Sequence, residues 1–291
     1  MPGHRTEVVC DTTAYLPDDL VSERGIHLIS LYVGLEGDLQ RESEISDYTE
    51  FYERLRTSTS KVTTSQPSVG DFAEVYEPLL DAGKDIVSLH ISGKISGTCE
   101  AAEQARNRLA DEGKGGERVR IFDSRSSAAG LGLCALAASA AADSGAGGDE
   151  VLRRAIDTRE RFKMWFALDT LEYLRRGDRI GKARGWLGST LRIKPILTFE
   201  EEITPVERVR TRSRALERLR AYAGQRHEAG ADAWVVQYIQ DRETAKALSD
   251  ECREIFGREP VFFSEVGPVI GAHIGPGMLG VGSVPESALA T

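Results

Sequence analysis

Residues 86–98 read IVSLHISGKISGT, an apolar run followed by a turn rich in serine and glycine. The apolar run predicts a buried strand, and the polar turn predicts the start of a helix. The same order recurs on both sides of this stretch, with further apolar strands at residues 8–10 and 119–122. Strands that alternate with helices are typical of an α/β domain with a mostly parallel sheet. We predict this fold for the N-terminal half.

The order of elements changes after residue 162. Strands at 196–199 and 203–210, joined by the acidic turn Glu200-Glu201-Glu202, predict an antiparallel hairpin. The other elements predicted there are strands at 165–168, 234–239 and 260–265, helices at 213–227 and 242–256, and one or two helical turns at 171–176. A chain of 291 residues is long for one hydrophobic core. We therefore predict two domains, residues 1–162 and residues 163–291, the second a mixed or antiparallel α/β domain.

Four local patterns give predictions that the structure can test. Residues 26–33 predict one apolar strand, and Ser46 is the expected N-cap of the helix that follows it. Residues 128–142 are mostly Ala and Gly; the run is shorter than the roughly 20 residues that span a membrane, so we predict a buried helix. Residues 185–191 predict an unusually apolar helix.

Composition excludes several classes of function. The formal net charge of −9 argues against a nucleic-acid-binding protein, which normally has a strongly basic face. The four cysteines form no Cys-x-x-Cys pair, and the carboxylates are scattered, so no metal site or cofactor is predicted. Reduced thiols and the absence of a signal-peptide pattern predict a cytoplasmic protein without stable membrane insertion. No Gly-x-Gly-x-x-Gly motif directly after a predicted strand occurs, and no Gly-x-x-x-x-Gly-Lys-Ser/Thr motif occurs, so no nucleotide site is predicted.

Two hydroxyl-rich turns precede helices at the expected carboxyl ends of strands. Thr64 and Ser65 lie in the first turn, and Ser96-Gly97-Thr98 forms the second. A helix start offers unpaired N–H groups and the positive end of the helix dipole, which favour a carboxylate or phosphate. Such serines and threonines are also ordinary helix caps, and Ser68 with Asp71 predicts a capping box here. Because two such turns occur, we interpret them as parts of an anion-binding site.

The C-terminal half adds a histidine and a cationic cluster. His273 lies between glycines in the stretch 271–277, which predicts a shaped loop that holds the imidazole close to the backbone. Residues 175–184 form a positive cluster in this acidic chain and include Arg179. Arginine is suited to carboxylate or phosphate groups, so this segment is predicted to contact an anionic head group or a partner protein.

Seven motifs occur in an order that resembles one known family. They are Val9-Cys10-Asp11-Thr12-Thr13, Thr64-Ser65-Gln66-Pro67-Ser68, Ser96-Gly97-Thr98, the stretch 168–174, Arg179-Ile180-Gly181, the stretch 193–197 and the stretch 267–277. Together they resemble the DegV family, the fatty-acid-binding subunits of bacterial fatty acid kinase. The resemblance extends from about residue 7 to residue 282.

The resemblance implies a carrier that holds a long-chain fatty acid in a tunnel between two α/β domains. It implies no catalysis by the carrier: a separate fatty acid kinase with an ATP-binding domain phosphorylates the carboxylate, and an acyltransferase of glycerolipid synthesis uses the acyl phosphate. By the same resemblance, Thr64 and Ser96 donate hydrogen bonds to the carboxylate, and Ser65, Gly97 and Thr98 are ligand-binding residues beside them. Arg179 and His273 lie near the head group and assist phosphoryl transfer in the complex with the kinase. Asp178 and Gly93 depart from the family pattern.

Two other functions stay open at this point. The first is an acyl or phosphoryl hydrolase in which Ser96 is the nucleophile and His273 the base; no Gly-x-Ser-x-Gly elbow surrounds Ser96, and no third residue is indicated. The second is a regulator that binds a sugar or a nucleotide.

Overall fold

The structure is a computed structural model that describes residues 5–35, 37–58, 62–186 and 193–290. Its contacts divide the chain into two compact units that interleave along the sequence. The first unit consists of Met1–Tyr32, Ser65–Arg161 and Ser287–Thr291. The second unit consists of Val33–Thr64 and Phe162–Glu286.

The first unit contains a four-stranded parallel sheet with helices. Its strands are β1 (Thr6–Asp11), β2 (His27–Ile29), β6 (Asp85–His90) and β7 (Val119–Asp123), in the order β2-β1-β6-β7. Its helices are α1 (Asp18–Glu23), α3 (Val69–Asp81), α4 (Thr98–Asp111), α5 (Ala129–Asp143) and α6 (Gly148–Arg161). The near-continuous apolar residues of β1 are buried, as expected for a parallel strand covered on both faces. The predicted parallel α/β fold is confirmed.

Helix α5 is the predicted Ala-rich buried helix. Every residue from Ala129 to Ala142 is buried, and only Asp143 at its end is exposed. Small side chains allow this close packing on all sides of the helix, which confirms the prediction. No helix in the described part of the chain is long and apolar enough to cross a membrane.

The second unit contains a mixed six-stranded sheet and a smaller three-stranded sheet. The large sheet has the order β10-β9-β8-β13-β11-β12, formed by β8 (Lys163–Ala167), β9 (Lys194–Phe199), β10 (Ile203–Val209), β11 (Ala233–Tyr238), β12 (Phe262–Glu265) and β13 (Leu279–Val284). The small sheet has the order β4-β3-β5, formed by β3 (Tyr32–Leu35), β4 (Asp38–Arg41) and β5 (Thr63–Ser65), of which only the terminal residues Tyr32 and Ser65 are counted in the first unit. The helices are α2 (Tyr48–Thr57), α7 (Glu172–Arg176), α8 (Arg212–Glu228), α9 (Arg242–Phe256) and α10 (Pro268–Ile274).

Within the large sheet only β11 and β12 pair in parallel. The hairpin of β9 and β10 is antiparallel, as predicted. Trp234 and Val236 of β11 pack with Leu219 of α8 and Leu248 of α9 in one buried cluster. Helices α8 and α9 therefore cover one face of this sheet, and the predicted mixed α/β fold of the C-terminal part is confirmed.

The two units differ from the linear division predicted from the sequence. Residues 33–64 lie in the second unit, although the prediction placed them in the first domain, and residues 287–291 lie in the first unit. The cause is packing over long sequence separations. The hydroxyl of Tyr52 in α2 donates to the carbonyl of Val266 (2.8 Å). At the other end, the hydroxyl of Thr158 in α6 donates to the carbonyl of Ala288 (3.0 Å).

Three local predictions need correction. The strand predicted at 26–33 is two strands, β2 and β3, because the Leu31 N–H bonds to the Thr12 hydroxyl (3.3 Å) and leaves the ladder. Asp47, not Ser46, caps α2, since its carboxylate accepts the Thr49 N–H. In the predicted helix 185–191, residues 185 and 186 end a 3-10 turn (Gly181–Trp186), and residues 187–191 lie outside the described residues.

Strand β13 and helix α10 were not among the elements predicted from the sequence. Strand β13 has glycine at positions 280 and 282, which removes the usual alternation of side chains. A Cβ on Gly282 would press on the ring of Phe162, and a Cβ on Gly280 would press on Phe166. The glycines thus mark the close approach of neighbouring side chains to the strand.

Candidate functional site

The first hydroxyl-rich turn is fixed at its end by a capping box. Ser68 accepts the Asp71 N–H (3.1 Å), and the Asp71 carboxylate accepts the Ser68 N–H (2.7 Å), which confirms the prediction. The hydroxyl of Tyr32 also donates to Asp71 (3.0 Å). Helix α3 therefore starts at a defined position, and the turn that precedes it is anchored there.

The structure brings Thr64 and His273 together. Thr64 Oγ1 lies 2.8 Å from His273 Nε2, although 209 positions separate the two residues in the sequence. Both residues belong to the second unit and are partly buried. A hydroxyl hydrogen-bonded to an imidazole can still donate its proton to an anion if the ring supplies the shared proton. The pair is therefore a candidate donor site for a carboxylate.

His273 lies on a helix and not in the predicted loop. Helix α10 begins after Gly267 with Pro268 at its first turn, where proline is preferred, and His273 lies in its last turn. Gly275 ends the helix with φ 78°, and a Cβ at this position would overlap the ring of Tyr173. The glycines that predicted a loop instead allow a short helix to stop sharply beside an aromatic ring.

Burial and electrostatics keep the imidazole of His273 neutral. Burial, and secondly the positive charge of Arg179, lower the pKa of His273 from 6.5 to about 4. The other ring nitrogen, Nδ1, is buried against the backbone of Gly177 and has no hydrogen-bond partner among the described residues. A neutral imidazole at neutral pH binds an anion by hydrogen bonding and not as a cation.

This lowered pKa predicts a specific dependence of stability on pH. The unfolded chain takes up a proton at His273 near pH 6.5, and the folded chain does so only near pH 4. The contribution of His273 is thus complete above pH 6.5 and is lost as the pH falls through 4. Within this window, we expect the free energy of unfolding to fall by up to about 1.4 kcal/mol per pH unit more in wild type than in His273→Gln. Urea titrations followed by tryptophan fluorescence check this, and equal slopes would contradict it.

The predicted cationic cluster is largely paired with carboxylates. Arg175 and Arg176 both bond Glu172 (2.6 and 2.8 Å), and Arg184 bonds Asp178 (3.2 Å). Asp178, which departs from the family pattern, therefore neutralises part of the local charge. Arg179 is exposed and donates to the carbonyl of Gly177 (2.7 Å).

A cavity of about 300 Å³ opens beside His273. Apolar and polar side chains both line it. The lining residues are Leu55, Ser58, Val62, Glu172, Tyr173, Arg175, Arg176, Gly177, Ala272 and His273. Since all of them belong to the second unit, the imidazole is accessible from a pocket that this unit forms by itself.

The second hydroxyl-rich turn lies in the first unit. Gly97 is the N-cap residue of α4 but offers no side chain to cap it, and the Ser96 and Thr98 hydroxyls lie 2.8 Å apart. Thr98 is fully buried, whereas Ser96 is partly exposed. In the first hydroxyl-rich turn, the Ser65 hydroxyl donates to the neighbouring carbonyl of Gln66 (3.1 Å). Of the second turn, Ser96 is thus the hydroxyl group best placed to contact a ligand, and its role stays a prediction.

Sequence reasoning missed a buried polar network in the first unit. The Tyr76 hydroxyl donates to Ser88 (2.7 Å), Ser88 Oγ lies 2.8 Å from His90 Nε2, and His90 Nδ1 lies 3.3 Å from Asp11. Asp11 also accepts the Ile91 N–H (2.8 Å), at the beginning of the second hydroxyl-rich turn. Ser88 and His90 are two positions apart on β6 and share a face, which was the available signal.

This network resembles a Ser-His-Asp triad in connectivity only. Ser88, His90 and Asp11 are each 0% exposed, and the Ser88 hydroxyl is already hydrogen-bonded by Tyr76. A nucleophile must reach its substrate, so we interpret the network as an anchor between the ends of β1 and β6. No group of three or more potential metal ligands occurs among the residues that the structure describes.

Comparison with known proteins finds a family model and a relative that match nearly the whole chain. The family model DegV, described as an uncharacterised protein of the DegV family, matches residues 5–286. A DegV domain-containing protein of Streptomyces coelicolor is 40% identical over 279 residues, which cover 94% of this chain and 96% of the relative.

Two solved structures are similar over nearly the whole chain. A DegV family protein from Thermus thermophilus, reported for its fatty acid binding, has a TM-score of 0.84 and 34% identity, and the match covers 97% of this chain and 99% of that one. DegV from Bacillus subtilis, described as a fatty acid binding protein, has a TM-score of 0.85 and 30% identity, with the same coverage.

Proposed function

Because this chain belongs to the DegV family, we propose that it binds a long-chain fatty acid and holds the carboxylate at Thr64 and His273. The observation that carries the proposal is the 2.8 Å contact between Thr64 Oγ1 and His273 Nε2 beside a cavity. Similarity to two fatty-acid-binding DegV proteins supports the choice of ligand.

The imidazole orients the Thr64 hydroxyl toward the ligand. We assign the ring proton to Nε2, which donates it to Thr64 Oγ1 and leaves the threonine proton for a carboxylate oxygen. Nδ1 is then an unprotonated nitrogen against Gly177, so no buried N–H group is left without an acceptor there. Because His273 stays neutral, the carboxylate is recognised by a hydrogen bond from Thr64, with the exposed charge of Arg179 nearby.

The acyl chain supplies most of the affinity. Burial of apolar surface contributes about 0.8 kcal/mol per methylene, which reaches the order of 10 kcal/mol for a long chain before the loss of entropy. The hydrogen bonds at the head group contribute less and mainly fix the direction of the ligand. The position of the acyl chain stays a prediction, as do contacts of Ser65, Ser96, Gly97 and Thr98 with the head group.

Mass spectrometry of the purified protein tests the binding proposal directly. Extraction with organic solvent followed by negative-ion analysis is expected to release one fatty acid per chain. A protein that contains no lipid and takes up neither labelled palmitate nor labelled oleate would refute the proposal. Stabilisation by nucleotides or sugars without any response to fatty acids would favour the regulator considered above.

We also propose that a separate fatty acid kinase phosphorylates the bound carboxylate and that an acyltransferase of glycerolipid synthesis receives the product. The family resemblance supports this step. The cavity beside His273 also gives access to the imidazole. The isolated chain is expected to form no acyl phosphate with ATP, and to do so when a purified fatty acid kinase is added. Acyl phosphate formed by the chain alone would contradict the carrier role.

The hydrolase with Ser96 and His273 receives less support. A catalytic histidine is usually oriented through its second nitrogen, but no carboxylate or carbonyl of the described residues bonds Nδ1 of His273. Nε2 is engaged by Thr64. Hydrolysis of acyl esters by the isolated chain, lost in Ser96→Ala, would restore this alternative.

A further inference from the structure

The segment that ends in Thr64 makes three hydrogen bonds within the second unit, two to helix α10 and one to Val266, which lies two positions before the helix. Besides the Thr64–His273 contact, the carboxylate of Glu42 accepts the Val269 N–H (2.8 Å), and the Tyr52 hydroxyl donates to the carbonyl of Val266 (2.8 Å). The contacts span 209 to 227 positions of sequence. One continuous segment thus holds the start of α10 and also bonds the histidine at its end.

Helix α10 depends on these contacts for its position. It has seven residues, and a helix this short is not stable by itself. Pro268 at its first turn has no N–H, and Glu42 accepts the N–H of the next residue, Val269. A carboxylate at a helix start also interacts favourably with the helix dipole.

Tyr52 sets the distance between α2 and α10. Its side chain is fully buried, and a Cβ on Gly271 would overlap its ring. The absence of a side chain at Gly271 therefore lets the helix lie directly on the aromatic ring. Since His273 is two residues further along α10, any shift of the helix start moves the imidazole relative to Thr64.

Glu42 is an unusual residue for a purely structural role. Its exposure is only 2%, and burial of a carboxylate is unfavourable unless specific hydrogen bonds stabilise it. An apolar side chain of similar size would fill the same space without this desolvation. Only a hydrogen-bond acceptor at position 42 can hold the Val269 N–H in place. This bond also fixes the rotation of α10 about its axis.

We propose that Glu42 is a positioning residue for head-group recognition: through α10 it holds His273 Nε2 toward Thr64 Oγ1, and it thereby selects ligands with a carboxylate. This inference rests on the proposed function. Glu42 does not touch the ligand itself. It acts on the imidazole, which also lies against the backbone of Gly177, near the charge of Arg179, and in one cavity with Glu172, Tyr173, Arg175 and Arg176.

The first test uses Glu42→Leu and Glu42→Gln in the full chain. Affinities are measured for palmitate and for hexadecanol, which has the same chain without the carboxylate. Glu42→Leu is expected to lower the preference for the acid over the alcohol by about tenfold, because the bond to the charged head group is misaligned. Glu42→Gln keeps an acceptor oxygen and is expected to retain most of the preference. Glu207→Leu, which removes a carboxylate paired with Arg218 elsewhere in the unit, is the control.

The second test needs no ligand. The pH titration of His273 is followed by NMR in delipidated protein, with its signal among the five histidines assigned from His273→Gln. Glu42→Leu is expected to shift this titration, and Glu42→Gln and Glu207→Leu are expected to leave it near wild type. If Glu42→Leu does not fold, Tyr52→Phe removes only the bond to Val266 and is expected to cause a smaller shift in the same direction.

The outcomes separate the two proposals. If wild type binds no fatty acid, the proposed function fails, but the NMR titration still tests the positioning by Glu42. A folded Glu42→Leu protein with the wild-type acid preference and an unchanged His273 titration would overturn the positioning role while leaving the fatty-acid carrier intact. Equal losses in Glu42→Gln and Glu42→Leu would also overturn it.

Discussion

Asp11→Ala is expected to lower the free energy of unfolding of the first unit by about 3–5 kcal/mol. Asp11 is fully buried and accepts the N–H groups of Thr13 and Ile91 and contacts His90. Alanine leaves these groups buried without their acceptor, and a buried donor without a partner costs about 1–3 kcal/mol. The loss is large because one side chain joins the ends of β1 and β6.

Urea denaturation followed by far-UV circular dichroism measures this loss, and hydrogen exchange locates it. Tryptophan fluorescence serves as a separate probe of the second unit, because Trp165, Trp186 and Trp234 all belong to it. Amides of β1 and β6 are expected to exchange much faster in Asp11→Ala. Asp18→Ala, at an exposed carboxylate in α1, is the control and is expected to change stability by less than about 0.5 kcal/mol. Wild-type exchange of β6 in Asp11→Ala would contradict the anchoring role.

Thr64→Val is expected to weaken fatty-acid binding by about 10- to 150-fold. Valine has nearly the same shape but lacks the hydroxyl, and a hydrogen bond to a charged group contributes about 1.5–3 kcal/mol. The substitution also removes the partner of His273 Nε2. Isothermal titration with palmitate after removal of bound lipid measures the change. Thr64→Ser keeps the hydroxyl and is expected to bind within a few-fold of wild type.

Thr63→Val is the matched control for this prediction. Thr63 is the preceding residue of β5 and is exposed, so its replacement tests the loss of a threonine hydroxyl next to the site. Its affinity for palmitate is expected to remain near that of wild type. Equal affinities of Thr64→Val and Thr63→Val would show that the hydroxyl of Thr64 does not recognise the carboxylate.

The fold was largely predictable because its signals are local. The apolar run at 86–91 and the cap at Ser68 depend on neighbouring residues, and both are as predicted. Strand β13 was missed because Gly280 and Gly282 interrupt the alternation of apolar and polar side chains that indicates a strand. Phe166 and Phe162, over 100 positions away, occupy the space that side chains at these positions would fill. The need for glycine in β13 thus depends on distant residues and cannot be inferred from the sequence of the strand alone.

The role of the candidate residues in binding stays a prediction, and the geometry between them could not be predicted. Thr64 and His273 were both named from motifs, whereas their 2.8 Å contact depends on the position of α10. Glu42 gave no signal, because a single glutamate in an acidic chain is normally a surface residue. The contact of Asp11 with His90 was not predicted either, because its importance follows from the burial of both residues and not from residue type.

Strand β13 lies between β8 and β11 in the six-stranded sheet, yet it follows all the other strands in the chain. During synthesis by the ribosome, β8, β9, β10, β11 and β12 emerge first and leave an open gap where two strand edges face each other. Unpaired edges are prone to pair with other chains. The six-stranded sheet of the nascent second unit can therefore close only after β13 has been synthesised. The stage before β13 emerges, when two strand edges are unpaired, is the one at which a chaperone would matter most.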